Sequence, residues 1–310
     1  MASTIATGKY AAQASTRLLG RLAFQMNASM KSPDPDAVHD LRVAIRRFTQ
    51  ALTIFNECFP GKEKRKIRRR LKRLMGLAGA ARNYDVTLKL LAKSPQEHSA
   101  LRARIASQRK ESARTLTGAL KRRIERKSSL KWRTGLEAAL ASAPPGTAHA
   151  DVTAMAGEIL PKMARDFLQV GAHAAATKAS AESLHQFRIA SKKFRYSLEL
   201  FEPLYGAPVK RMIEEIKHAQ NILGDFNDCV SAIEIVQPHK DGQAVARWLK
   251  KRQSRKMDEF RRWWPEKLGN PETARLWVRQ LRHPIQESAM RKKPMARAST
   301  LRQPALARAR

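Results

Sequence analysis

Two stretches of the chain repeat one another, and this repeat constrains the fold more than any other feature. VHDLRVAIRRFTQALTIF at 38–55 aligns without a gap with LHQFRIASKKFRYSLELF at 184–201, 146 positions later. In both stretches basic residues follow a histidine by three, seven and eight positions. Apolar residues recur at the three- and four-residue spacing that is typical of an amphipathic helix. The repeat therefore predicts that the same helix occurs twice.

Helical periodicity continues along most of the chain, and alternating strand-like stretches are almost absent. The glycine-centred segment LAGAARNYDV at 77–86 has a counterpart in ILGDFNDCV at 222–230, so the repeat extends beyond one helix. We expect an all-α protein made of two copies of a four-helix unit, at about 8–140 and about 150–284. The pattern places helices at about 8–31, 35–58, 62–93 and 96–127, and at about 150–172, 181–202, 207–236, 241–264 and 271–283.

Two segments are predicted to lie outside these units. ASAPPGTAHA at 141–150 is the expected linker between the copies, because it combines proline, glycine and small residues. Residues 285–310 are rich in Lys and Arg and have no apolar periodicity, so they are expected to form a disordered basic tail. The helical domain would thus occupy residues 1–284.

The charge balance indicates the kind of partner. The chain has 61 Lys and Arg against 27 Asp and Glu, for a formal net charge of +34. Such a field destabilises a compact chain by self-repulsion unless an anionic partner offsets it. A polyanion is therefore the expected partner. No apolar run approaches the roughly 18 residues that a membrane span needs, and MASTIATGKYAAQ lacks a signal peptide's apolar region, so we expect a cytoplasmic protein without a membrane span.

The two cysteines give no sign of a cofactor. Cys58 and Cys229 lie far apart in the sequence and belong to no Cys/His ligand cluster. Neither a disulfide framework nor a zinc site is indicated. We expect no metal and no cofactor.

The repeated helices each have two distinct faces. At about 100° per residue, one set of apolar residues in 38–55 falls within about 40° of Leu41, whereas His39, Arg42 and Arg46 lie about 100–160° away. The apolar face is expected to pack against other helices, which leaves the basic strip on the opposite side. The apolar faces comprise Leu41, Ile45, Phe48, Leu52 and Phe55 in the first copy, and Phe187, Phe194, Leu198 and Phe201 in the second.

Basic strips of this kind occur on two helices of each copy. The economical arrangement faces all four strips into one groove, where several cations would hold phosphate oxygens at once. The strips consist of His39, Arg42 and Arg46; Arg65 and Lys72; His185, Arg188, Lys192 and Arg195; and Lys210 and Lys217.

Plainer interpretations remain open. A basic stripe on a helix is usually a solvated face, although its repetition in the same phase favours a site. The histidines also fit partly buried structural positions. GKEKRKIRRRLKR at 61–73 is as compatible with nucleic acid as with any other polyanion. Asp85, Asp225 and Asp228 are interpreted as loop or helix-end residues that cap or pair with basic side chains.

The paired motif HDLRVAIRRF and HQFRIASKKF, each followed by a glycine-centred segment, resembles the CHAD family of histidine-bearing helical domains that bind inorganic polyphosphate. The resemblance covers about residues 8–284. It implies two pseudo-symmetric four-helix bundles, a shared central basic groove, and no catalysis by the domain itself. Asn83 stands where the family usually has an acid, and Gln186 replaces the acid that follows the first histidine. By position, the family's motif residues fall on His39, Arg42, Arg46, Arg47, His185, Arg188, Lys192 and Lys193.

Enzymatic functions are poorly supported. His39-Asp40 is similar to the pair used by metal-dependent phosphohydrolases, but the second copy has His185-Gln186. The chain has neither a G-x-x-x-x-G-K-[ST] phosphate loop nor the E-x-E-x-K signature of the triphosphate tunnel enzymes to which family members are sometimes fused. We therefore expect no catalytic residues and a binding module that associates with polyphosphate granules.

The alternative function is a basic structural protein associated with nucleic acid. Proteins that bind single strands usually interleave aromatic residues with basic ones so that bases can stack. The four strips contain almost no aromatic residues. This composition favours polyphosphate, with nucleic acid as a non-specific partner.

Overall fold

The computed structural model describes residues 5–59, 61–141 and 151–284. The expected tail at 285–310 and the expected linker, apart from Ala141, lie outside the described residues. Ten α-helices account for most of the described residues, which contain no β-strand. The helices are α1 (Thr7–Lys31), α2 (Pro35–Ile54), α3 (Lys62–Leu91), α4 (Ser99–Glu125), α5 (Ser128–Ala141), α6 (Val152–Ala175), α7 (Ala181–Tyr205), α8 (Ala207–Val236), α9 (Gln243–Lys267) and α10 (Pro271–Arg282).

The helix positions confirm the all-α prediction, with one addition. Helix α5 falls where the sequence pattern predicted no helix. Lys127 adopts a left-handed backbone conformation with φ of 49°, which separates α5 from α4. The short helix buries Trp132 and Leu136, spaced four residues apart, against α1 and α3.

The two repeated helices begin in the same way. Asp34 caps α2, since its Oδ1 accepts hydrogen bonds from the backbone N–H groups of Asp36 and Ala37 at 3.0 and 2.8 Å. Ser180 caps α7 by accepting a hydrogen bond from Ser183 N at 3.1 Å. A side-chain cap satisfies a backbone donor that the first turn leaves without a partner. Both caps place a histidine at the fifth residue of the helix.

The apolar faces of the repeated helices are buried, as their periodicity predicted. The rings of Phe55 and Phe201, which are equivalent residues of the two copies, meet edge to face with centroids 6.0 Å apart. Tyr10 of α1 stacks on Phe201 at 6.1 Å and donates a hydrogen bond to Leu200 O at 2.7 Å. These contacts hold the C-terminal parts of α2 and α7 together.

The two halves of the chain share their apolar cores. One cluster of buried residues draws on α1 to α8 as well as α9 and α10. A smaller cluster joins α3 and α4 to α8 and α9 through residues such as Leu101, Ile105, Cys229 and Val245. Across the two halves, α2 packs on α7 and α3 packs on α8. None of the helices in the described part of the chain combines the length and apolarity that a bilayer crossing needs.

Candidate anion-binding site

Four cations from the two repeated helices converge where α2 lies beside α7. Arg42 and Arg46 of α2 lie near Arg188 and Lys192 of α7, and all four are partly buried. We call these four residues the cation cluster. Burial and the nearby guanidinium groups lower the pKa of Lys192 to about 6 and that of Arg42 to about 10. The same causes lower the pKa of Arg188. Burying like charges close together destabilises the folded protein, and a bound anion would offset this loss of stability.

A glycine on α3 makes room for one member of the cluster. A Cβ atom added at Gly79 would lie only 2.8 Å from Nη1 of Arg42, so the guanidinium group lies against the backbone of α3. Gly224, the equivalent residue of the second copy, has nothing within 4 Å of such a Cβ. Gly79 thus leaves room for the guanidinium group of Arg42, whereas Gly224 borders open space.

Two residues that the sequence interpretation did not assign to the site lie beside the cluster. Arg82 of α3 is close enough to lower the pKa values of Arg42 and His39. Asp228 of α8 has its pKa raised, chiefly by burial, against the opposing effect of Arg82, Arg188 and Lys192. Arg42, Arg82, Arg188 and Lys192 all lie near Asp228, so basic groups outnumber the carboxyl groups of Asp225 and Asp228 at this place. Arg82 lies three residues after Gly79 on α3, a spacing that could have placed it in the site.

A cavity of about 630 Å³ opens between α2, α3 and α7 and includes part of the cluster. Apolar side chains and uncharged polar side chains also contribute to its wall. Of the residues that the sequence placed in the strips or carried over from the family motif, Arg46, Lys72, Lys192 and Lys193 line it, together with Arg68 and Arg69.

One further motif residue, Arg47, and one strip residue of the second copy, Arg195, are already paired with an acid. Arg47 Nε donates a hydrogen bond to Glu199 Oε2 at 2.7 Å, and Arg195 Nη1 donates one to Glu199 Oε1 at 2.8 Å. The side chains of Arg195 and Glu199 are only 13% and 16% exposed, so solvent screens this contact little. Because Glu199 joins a guanidinium group from each repeated helix, it clamps α2 to α7. Arg195 also lies close enough to Lys192 to lower the pKa of that amine.

The remaining strip residues lie at the edge of the site or away from the cavity. His39 is exposed near Arg42 and Arg82, and partial desolvation and neighbouring guanidinium groups lower its pKa. His185 lines a separate cavity of about 190 Å³ with Arg188. Arg65 is exposed on α3. On α8, Lys210 lies 3.6 Å from Glu202, and Lys217 donates a hydrogen bond to Glu214 at 2.8 Å.

The three aspartates lie within helices, which corrects their interpretation as loop or helix-end residues. Asp85 belongs to α3, and Asp225 and Asp228 belong to α8, because both helices continue through their glycine-centred segments. Asp85 accepts a hydrogen bond from Arg109 at 2.8 Å, and Asp225 lies 3.2 Å from Lys256 Nζ. They pair with basic side chains, as expected. No group of three or more potential metal-ligating side chains occurs among the residues described.

Comparisons with known proteins agree with the helical architecture. Residues 14–237 match the family model of the CHAD domain. The crystal structure of the CHAD domain from the plant Ricinus communis is similar with a TM-score of 0.68 and 22% sequence identity, covering 92% of this chain and 96% of that one. PptA from Streptomyces chartreusis gives a TM-score of 0.55 at 16% identity, with 89% and 99% covered. No curated protein matches the chain.

Proposed function

Because the chain belongs to the CHAD family, as the match over residues 14–237 shows, we propose that it binds inorganic polyphosphate through the cation cluster. The observation that carries this proposal is the convergence of four basic side chains, Arg42, Arg46, Arg188 and Lys192, at one place between α2 and α7. The carboxyl group of Asp228 lies near three of them, Arg42, Arg188 and Lys192. Unpaired charge that is removed from water is costly to a fold. An extended anion that contacts several of these cations at once would offset the cost.

Polyphosphate suits this arrangement chemically. Each arginine presents a planar fork that can donate two hydrogen bonds to the oxygens of one phosphate, and Lys192 adds a compact charge. A chain of phosphates can continue along the wall of the cavity past Lys72 and Lys193. We propose a central groove of this kind between two pseudo-symmetric four-helix bundles, an arrangement supported by the contact between Phe55 and Phe201.

We propose that the domain binds without catalysing a reaction. The arginines of the cluster are cations that hold an anion without attacking it, and a bound anion would favour the protonated form of Lys192, which is not nucleophilic. Asp228 lies among Arg82, Arg188 and Lys192, where it would orient these donors. Binding would release the counterions condensed on the polyanion, so affinity should fall steeply with salt.

The test compares long-chain polyphosphate with RNA at equal phosphate concentration. Wild type should bind polyphosphate more tightly, and long chains more tightly than triphosphate, which reaches only part of the groove. The double substitutions Arg42→Gln/Arg46→Gln and Arg188→Gln/Lys192→Gln should each weaken binding of long chains and make its salt dependence shallower. Each lost charge-assisted contact is worth on the order of 1.5–3 kcal/mol.

A matched control replaces Lys210 and Lys217 by glutamine, since both already lie beside acids on the exposed surface. This variant loses two positive charges but none from the cluster, so long-chain affinity should change little. The proposal fails if all four cluster substitutions together leave affinity and salt slope unchanged. Equal or tighter binding of RNA would favour the alternative, a basic structural protein associated with nucleic acid.

In cells, we propose a cytoplasmic protein that associates with polyphosphate granules. The net charge of +34 supplies the general attraction to a polyanion, and the cluster supplies the site. A tagged protein should co-sediment with granules in cells that accumulate polyphosphate. The cluster variants should remain diffuse, and wild-type protein that follows the nucleoid would contradict the granule assignment.

A further inference from the structure

We propose that the cavity between α2, α3 and α7 binds the organic part of a nucleoside polyphosphate, whose phosphates contact Arg46 and Lys192. This inference rests on the proposed anion-binding role of the cation cluster. It adds a second ligand class to that site, because the cavity contains surface that an inorganic chain cannot use.

The wall of the cavity is apolar to an extent that polyphosphate does not explain. Ile45 of α2, Leu71 and Met75 of α3, and Ile189 of α7 contribute to it. A chain of phosphates has no carbon and gains nothing by covering these side chains. Ile45 and Leu71 are already buried, but Met75 and Ile189 are only half-buried. A ligand with an apolar or aromatic body would remove Met75 and Ile189 from water, which favours binding. The volume of about 630 Å³ falls within the range usual for small-molecule sites, about 300–1,000 Å³.

Uncharged polar groups lie beside the apolar wall. Thr49, Gln50 and Thr53 of α2 line the cavity. Gln50 is fixed by donating a hydrogen bond from Nε2 to Ser197 Oγ at 2.9 Å, across the boundary between α2 and α7. The Thr53 hydroxyl donates to Thr49 O at 2.9 Å, so its oxygen can still accept a hydrogen bond. A hydrocarbon body would leave their remaining hydrogen-bonding capacity unused, whereas a base and a ribose carry heteroatoms that can match it.

The charges fix the orientation of such a ligand. Arg46 and Lys192 belong both to the cavity wall and to the cation cluster. A triphosphate group would therefore lie at the cluster, with its nucleoside directed towards Met75 and Leu71. The nucleoside polyphosphate would then compete with inorganic polyphosphate for the same cations.

The experiment compares ATP with inorganic triphosphate in the absence of divalent cations, using calorimetry on the full chain. Inorganic triphosphate carries at least as much charge as ATP, so charge alone predicts that it binds at least as tightly. We expect ATP to bind about fivefold more tightly, because it also covers the apolar wall. ATP should also displace a fluorescently labelled polyphosphate chain.

Variants of the apolar wall separate this effect from charge. Met75→Asn on α3 and Ile189→Asn on α7 should each reduce the preference for ATP towards unity and leave triphosphate affinity unchanged. Leu77→Asn is the matched control, since Leu77 is a half-buried residue of α3 that lines a different cavity. It should keep the preference for ATP. Melting temperatures of all three variants identify any loss of folded protein.

The results also distinguish this inference from the proposed function. If triphosphate binds wild type as tightly as ATP, or if both wall variants keep the preference, the inference is overturned while long-chain binding can still stand. If ATP binds with the expected preference but long-chain polyphosphate does not bind, the inference stands and the proposed function fails.

Discussion

Lys192 should take up a proton when the protein binds polyphosphate. In the unliganded protein, burial and four arginines lower its pKa to about 6. At pH 7 the amine would therefore be protonated in only about a tenth of the molecules. Bound phosphates would favour the ammonium form and raise the pKa towards its ordinary value. Binding at pH 7 should then be accompanied by uptake of about 0.9 proton.

The same linkage fixes how affinity depends on pH. The complex holds more protons than the unliganded protein wherever the pH lies between the two pKa values of Lys192, so affinity must fall as pH rises there. With a pKa of about 6 in the unliganded protein, raising the pH from 7 to 8 should weaken binding about tenfold. His39, whose pKa is lowered from 6.5, contributes little in this interval.

Calorimetry in two buffers of different ionisation enthalpy measures the uptake directly. Long chains are the appropriate ligand, because their internal phosphates do not titrate near neutral pH and end groups are few. Lys192→Met should abolish most of the uptake at pH 7. Lys193→Met is the matched control, since Lys193 is exposed in the same cavity and should leave the uptake unchanged. Wild-type binding without proton uptake at pH 7, or equal uptake by Lys192→Met, would refute the reasoning.

Three further predictions concern stability, positioning and the tail. Lys192→Met should raise the melting temperature of the unliganded protein, and by more at pH 6 than at pH 9. Between its native pKa and its ordinary pKa, Lys192 binds fewer protons in the folded protein than in the unfolded one, so its destabilising effect decreases as pH rises. Gly79→Ala should weaken long-chain binding several-fold by displacing Arg42, whereas Gly224→Ala should not; both should keep or raise the melting temperature through helix propensity. Deleting 285–310 should weaken binding mainly at low salt, as filter binding at two ionic strengths would show, since exposed charges are screened beyond about 8–10 Å at physiological ionic strength.

Periodicity predicted the helices well because each buries one continuous apolar face. The buried faces of α2 and α7, and the residues at which these helices begin, follow directly from the sequence pattern. Helix α5 escaped prediction because it buries only a short seam around Trp132 and Leu136, after a turn that depends on the left-handed Lys127.

The site was less predictable, for a physical reason. A helical wheel gives the direction of a side chain around its own axis, but not the height at which two helices cross. Arg82 and Asp228 join the cluster because α3 and α8 pack beside α2 and α7 at that height. Arg47, which belongs to the repeated motif, and Arg195, which occurs only in the second copy, pair with Glu199 instead. Crossing geometry and pairing are decided by tertiary contacts that a single sequence does not show.

The packing beneath the cluster explains why its charges do not separate. Phe55 meets Phe201 in the core, and Glu199 joins α2 to α7 beside the cations, so repulsion cannot push the two helices apart without loss of these contacts. The repulsion can still be reduced in two ways: Lys192 can lose its proton, or an anion can bind to the cluster. Loss of the proton removes one of the repelling charges, whereas a bound anion favours the protonated amine. Proton binding and anion binding are therefore linked, and each must affect the other. Acidification should therefore strengthen anion binding, and a bound anion should keep Lys192 charged at a pH where the unliganded protein leaves it neutral.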